Sequence, residues 1–187
     1  MERGKKIYLL PFDLVDEQSL LNDICASVEN SFHIPCVQMS SQPIPPYAFN
    51  EARGQYHSTA ILRFLENRVP SDALRLLGIV DVDLFVPQLN FVFGEAAVNG
   101  RVCVISLARL QPEYYGKQPD RQLFLERAVK EAVHELGHTF GLRHCFNSKC
   151  VMFFSNSIED TDRKSAAFCG QCELKLSRAL QVAKYVA

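Results

Sequence analysis

His134-Glu135-Leu136-Gly137-His138-Thr139-Phe140-Gly141-Leu142-Arg143-His144-Cys145, followed by Cys150 and Met152, is the stretch around which this chain is organised. If the run through Phe140 is helical, His134 and His138 stand four positions apart and project from one face, where both imidazoles can grip a single ion. Gly141 sits where a helix most often ends in the left-handed conformation, which costs glycine little and lets the chain double back. His144 then returns as a third ligand. Three neutral imidazoles leave one position on a zinc ion open to water, the arrangement of a catalytic rather than a structural site. Glu135 lies next to His134 and points toward the same cleft. Its carboxylate can accept a proton from a zinc-bound water and pass it to a leaving amine. This is the His-Glu-x-x-His logic of metal-dependent peptide hydrolysis. The competing reading, a chance match on an amphipathic helix, is weakened by the added glycine and the third histidine.

Four further residues form a second pattern. Cys145-x4-Cys150 and Cys169-x2-Cys172 supply four thiolates, enough to close a tetrahedral zinc with no open position, so two zinc ions per chain are expected, one catalytic and one structural. Two disulfides are the alternative, disfavoured by the paired spacing and by a reducing compartment. The two sites are adjacent by covalent necessity, because His144 and Cys145 share a peptide bond and their Cα atoms lie about 3.8 Å apart. The closed zinc should therefore brace the open one.

The run from His134 to His144 resembles the metzincin signature. With Cys145, Cys150, Met152 and Cys169-Gly170-Gln171-Cys172 the chain is similar to the archaemetzincins specifically. The resemblance implies a zinc metallopeptidase acting on peptide or protein substrates, with aminopeptidase action as one form. It implies an α/β (α+β) fold of the zincin type: a mixed sheet with an antiparallel edge strand, packed helices including the active-site helix, and a small zinc-bound C-terminal part. It also places Met152 beneath the catalytic zinc as a hydrophobic floor. Some metzincins carry a tyrosine two residues beyond this methionine; here the position is Phe154, and Tyr114, Tyr115 or Arg143 are the candidates to stand in for it.

Composition bounds the rest. The 187 residues, 48% hydrophobic and 22% charged, suit one domain with a full core, residues 1–141 carrying the sheet and active-site helix and 142–187 the third histidine, the methionine turn and the four cysteines. A net charge of −1 argues against a sequence-independent nucleic-acid binder, which needs a basic face. No segment approaches the length of a membrane span and the start has no signal-peptide pattern, so a cytoplasmic monomer is expected. Seven cysteines in such a compartment favour metal ligation and free thiols, and Cys25, Cys36 and Cys103 read as small core hydrophobes.

Along the chain, residues 7–12 and 34–39 read as strands around a helix over 17–32, which predicts a parallel crossover. Residues 42–50 form a proline-set extended loop, either a connection or a polyproline recognition segment. A helix over 58–67, capped by Ser58 or Thr59, is followed by a strand over 76–86, on which Asp81 and Asp83 share a solvated face and carry no catalytic role. Two strands, 89–96 and 101–107, meet at Asn99-Gly100, the strongest short hairpin signal, and must be antiparallel. One of the pair should be the antiparallel edge of the sheet; the first is similar to the edge strand that metzincins place above the active-site cleft, able to accept a peptide as an extra strand or simply to meet water. A polar loop then leads to Asp120, the natural cap of the active-site helix. A last helix spans 173–186. A second class of function stays open, a non-catalytic zinc-dependent binding or regulatory module, against which the intact Glu135 speaks.

Overall fold

The computed structural model describes residues 5–14 and 17–185. In chain order it contains β1 (Lys6–Pro11), α1 (Gln18–Phe32), β2 (Cys36–Gln38), β3 (Phe49–Asn50), β4 (Gln55–His57), α2 (Ser58–Glu66), β5 (Ala73–Val80), β6 (Leu84–Phe85), β7 (Gly94–Ala96), β8 (Val102–Ser106), α3 (Arg121–Thr139), α4 (Ile158–Arg163) and α5 (Gly170–Tyr185). Five strands pair in the order β2-β1-β5-β8-β7; all are parallel except β7, the antiparallel edge.

The sheet is apolar on both faces, as a largely parallel sheet must be when helices cover it. One face packs Ile7, Leu9, Leu77, Cys103 and Ile105 against the stripe Leu20, Leu21, Ile24, Val28 of α1 and against Ala132 and Leu136 of α3. The other packs Leu10, Leu76, Val80, Val102 and Val104 against Ile61, Leu62 and Leu65 of α2. The strand-helix-strand reading of β1-α1-β2 holds, and so does the antiparallel edge. Cys25 and Cys103 are core residues, with Cys36 packed against them.

The structure departs from the sequence reading in the two sheets and the loop before β3. Residues 76–86 are not one strand: β5 ends at Val80 and the chain bends into β6, part of a second sheet ordered β3-β4-β6. The bend is held by polar bonds that periodicity does not show. Ser106 Oγ donates to Val82 O at 2.6 Å, Arg109 grips Asp83 through Nε and Nη2 at 2.6 and 2.7 Å, and Gln55 donates to the same carboxylate at 2.9 Å. Asp83 is therefore an ion-pair residue, and Asp81 accepts from Gln111 at 3.1 Å. The edge strand is likewise shorter than expected, because Val92 leaves the large sheet to bridge Leu84 of the small one. Arg53 pins this departure by donating to Leu89 O and Asn90 O at 3.0 and 2.9 Å. Residues 42–50 are not wholly extended, since Pro46–Ala48 close a short 3-10 turn leading into β3.

The C-terminal elements differ as well. Helix α4 has no counterpart in the sequence reading, its six residues being too few to display a period. Helix α5 begins at Gly170, so Cys172 lies in its first turn. Of its apolar residues Leu176 is buried, whereas Leu174 and Val182 are exposed; Val186 falls outside the described residues. Helix α4 is tied to α3 by Arg127, fully buried, which holds Asp162 in a fork at 2.7 and 2.8 Å and donates to Leu110 O at 2.9 Å. Substituting Arg127 with Met keeps the volume but strands one side of this pair. Because Asp162 is about one-third exposed, the expected loss is about 2 to 3 kcal/mol, below the cost of breaking a fully buried pair, read as a shift in the denaturant midpoint at unchanged slope.

Candidate metal centre

Helix α3 starts where the sequence places it, with Asp120 Oδ1 accepting from Leu123 N–H at 2.9 Å. Its far end is a Schellman turn: Gly141, at φ +84°, donates its N–H to His138 O at 2.9 Å, and Leu142 donates to Gly137 O at 3.1 Å. The left-handed glycine foreseen from sequence is present. Two residues to which the sequence reading gave no part in this site secure the turn. Arg75 caps it by donating to Thr139 Oγ1 and Thr139 O at 3.0 and 3.1 Å. Asn99 of the β7–β8 connection donates its N–H to His138 O at 3.2 Å, and its side chain occupies the space a Cβ on Gly141 would need.

The turn brings His134, His138 and His144 together, one nitrogen of each lying within 4.8 Å of the others. The backbone sets the ring orientations. His134 Nδ1 is 2.7 Å from Val151 O and His138 Nδ1 is 2.7 Å from Leu142 O, so each Nδ1 carries the proton and donates, leaving both Nε2 lone pairs bare. Those nitrogens face each other at 3.1 Å. Two bare acceptors repel unless a cation lies between them, and two nitrogens on one tetrahedral zinc stand about 3.3 Å apart by the usual bond lengths. The residues fit the ion. Burial holds the titration points of all three histidines below the ordinary range, with the Lys164 charge adding to the effect, so the rings stand neutral and ready to ligate.

Glu135 is buried beside them. Burial pushes its carboxyl well above the usual carboxylate range, nearby Glu131 adds to the shift, and Lys164 opposes it. A bound dication would act in the same direction as Lys164. Glu135 packs beneath the edge strand at Gly94, where a Cβ would come within 2.6 Å of Glu135 Cγ. Behind His134 lies a network the sequence reading missed: Glu131 accepts from buried Lys164 Nζ at 3.0 Å and from Thr161 Oγ1 at 3.1 Å. Lys164 Nζ is also 3.5 Å from His134 Nδ1, an electrostatic contact, since that nitrogen already donates to Val151. Glu131 could have been flagged three positions before His134 on the same helical face. Lys164 carries no local signal.

Cys145, Cys150, Cys169 and Cys172 form the second cluster, their sulfurs within 4.8 Å of one another and all four free. Cys145 and Cys169 sulfurs are 3.8 Å apart, the separation of two sulfurs on one tetrahedral zinc and far beyond a disulfide bond. The amide N–H of Cys172 holds the Cys169 thiol down at about 7, favouring the ligating thiolate. Met152 is fully buried under α3, its sulfur 2.5 Å from where a Gly137 Cβ would stand, which accounts for a glycine inside the helix. Tyr114, Tyr115 and Arg143 do not line the cleft: Tyr115 donates to Arg109 O at 2.9 Å and Arg143 lies exposed. Phe154 is in the cleft, its ring 4.8 Å from that of His144.

The cleft over the histidines, about 840 Å³, is of the size that ligand sites usually have. Residues 16–178 match the model of peptidase family M54. The chain belongs to peptidase family M54. Among M54 relatives, the archaemetzincin of Methanocaldococcus jannaschii is 48% identical over 141 residues, 75% of this chain and 76% of that one. That of Pyrococcus furiosus is 46% identical over 168 residues, 88% of each. The crystal structure of archaemetzincin from Methanopyrus kandleri superposes with a TM-score of 0.85 at 40% identity, covering 95% of this chain and 96% of that one. This M54 chain is a zinc metallopeptidase with a mixed α/β fold, and such an enzyme acts on peptide or protein substrates. Among the described residues, no helix is long and apolar enough to cross a membrane.

Gly141→Ala in this M54 chain should lose about 1 to 3 kcal/mol, because a Cβ is strained at positive φ and meets Asn99. Chemical denaturation measures the loss. Zinc retention on dialysis should fall with it, since the turn delivers His144.

Proposed function

We propose that His134, His138 and His144 hold a catalytic zinc, that Glu135 is the general base, and that Cys145, Cys150, Cys169 and Cys172 hold a second, structural zinc. The observation that carries this reading is the 3.1 Å approach of two bare Nε2 atoms beside a buried carboxylate in an open cleft. A zinc held by these three histidines would supply Lewis acidity and make a nearby water more acidic. Glu135 is placed to accept a proton from a water in the cleft and to deliver it to the departing amine. Val151 O and Leu142 O hold the two helix imidazoles in the ligating tautomer, and Lys164 occupies Glu131 in an ion pair, so that Glu135 is the carboxylate left free for proton transfer. The four-cysteine site ties His144, through its peptide bond to Cys145, to the turn bearing Met152, and Cys145 N–H donates to Met152 O at 2.8 Å.

Glu135→Gln is nearly isosteric and removes only the proton acceptor. It should keep two zinc ions and slow peptide cleavage about a hundredfold to ten-thousandfold. His138→Ala should instead lose the catalytic metal along with activity. Peptides with free and with blocked termini, cleaved in parallel, separate aminopeptidase from endopeptidase action. Native turnover by the Gln variant would refute the role given to Glu135. A native zinc-loaded protein that cleaves no peptide in a broad library would favour the binding-module reading.

Metal analysis should find two zinc ions per chain, and a chelator should remove them in two steps. Activity is lost first, while helix content survives until the four-thiolate site empties, because that closed site contributes to folding. Cys172→Ser, distant from the histidines in sequence, should lower both the melting temperature and turnover. A variant normal in both would show that the closed site does not brace the open one.

A further inference from the structure

Strand β7 is the free edge of the large sheet, directly over Glu135. Its pairing with β8 is set by Ser106 N–H donating to Phe93 O at 2.8 Å and Ala97 N–H to Val102 O at 3.0 Å, with Glu95 opposite Val104. Alternate residues of an antiparallel strand turn both backbone groups to the same neighbour. Phe93, Glu95 and Ala97 therefore face β8, and Gly94 and Ala96 offer their N–H and C=O to the open edge. A peptide laid antiparallel along that edge bonds to Gly94 and Ala96. The peptide residue opposite Glu95 then occupies a non-hydrogen-bonded position, where Cα atoms approach to about 4.5 Å and side chains on the shared face come closest.

Gly94 lies on the α3 face, against Glu135, so alternation sends Glu95 to the opposite face, toward α2. There Ser58 Oγ donates to its carboxylate at 2.5 Å and Thr59 Oγ1 at 2.8 Å. These hydroxyls were expected to cap α2; the structure turns them onto Glu95 instead, and no side chain caps the helix. A purely structural tie would need no more than this. Two hydroxyls, however, supply two protons, and an ionised carboxylate has about four acceptor sites. Ser58 Oγ is moreover within 3.1 Å of Phe85 O, which competes for its proton. Among the described residues no cation pairs with Glu95. The charged side chains lining the cleft are Glu95, Glu131 and Glu135, with no Lys or Arg among them. Glu131 is occupied by Lys164, and Glu135 is assigned to the proton transfer. Glu95 is the carboxylate left without a task.

We infer that Glu95 is a specificity-determining residue: it selects substrates with Lys or Arg at the position that pairs opposite it along β7. The inference rests on the peptidase reading and adds the substrate class.

The test uses zinc-replete native protein and two peptide sets, N-terminus free and N-terminus acetylated, in which one position at a time is Lys, Leu or Asp. At one position kcat/KM should fall in the order Lys, Leu, Asp, by about fivefold per step, the upper end for a cross-strand charge pair, and the spread should narrow as salt is added. In Glu95→Gln the Lys-to-Leu ratio at that position should drop to near one, and in Glu95→Lys the order should invert. Each ratio compares peptides on one preparation, so loss of folded protein cancels. Absence of a Lys preference in the native protein, or its survival in Glu95→Gln, overturns the inference. So does a preference that disappears on acetylation, because the group recognised is then the terminal ammonium. Peptides that are not cleaved are scored by fluorescence anisotropy on the zinc-loaded protein. A Glu95-dependent Lys preference in binding without cleavage would sink the peptidase reading and keep the inference; cleavage without preference would do the reverse.

Discussion

The contact between Gly137 and Met152 constrains everything near the metal centre. Helix α3 has no side chain at that point, and the Met152 sulfur fills the space one would need. The turn carrying Met152 is thereby pressed directly beneath the helix that carries His134 and His138. From that position Val151 O reaches His134 Nδ1 and Met152 O reaches Cys145 N–H. A glycine inside a helix costs about 1 kcal/mol relative to alanine. Here that cost accompanies a close approach that aligns an imidazole and anchors the loop between the two clusters.

The electrostatics follow from the same compactness. A helix with Arg127, Lys130, Glu131, His134 and Glu135 all buried would be costly if those groups lacked partners. The C-terminal segment supplies most of them: Asp162 meets Arg127 and, through its carbonyl, Lys130, Lys164 and Thr161 meet Glu131, and Val151 O meets His134. Helix α4, six residues long, is thus the polar counterpart of α3, and Lys164, at its C-terminal cap, completes the wall behind the histidines. What remains in the cleft is acidic. A dication and a cationic substrate side chain are the complements of such a surface.

The small sheet and its junction with the large one decide the shape of the cleft mouth. Arg53, Gln55 and Arg109 draw residues 83–90 toward the second sheet through backbone carbonyls and Asp83. This leaves only Gly94–Ala96 on the edge of the large sheet. A short edge limits unwanted pairing with other chains, yet it is long enough to seat the few residues of a peptide that flank a cleavage point.

The amino-acid sequence by itself determined the elements that rest on local chemistry. The helical spacing of His134 and His138, the left-handed Gly141, the Asp120 cap, the Asn99-Gly100 turn and the apolar stripes of α1, α2 and α3 are each written within a few residues of one another. The two side-chain clusters were legible for the same reason, because chain spacing limits which side chains can meet. Tertiary structure alone decided what depends on partners distant in the chain. Strand 76–86 breaks because Arg109 and Gln55 pull on Asp83, and Ser58 and Thr59 leave the helix cap for Glu95. Arg75 closes the end of α3 from a strand some sixty residues earlier. Lys164 stands behind His134 only because α4 folds back along α3. Hydrophobic period and capping act over one or two turns and can be read from neighbours; a buried charge is placed by whichever opposite charge the folded chain brings within about 3 Å, and no local pattern encodes that meeting.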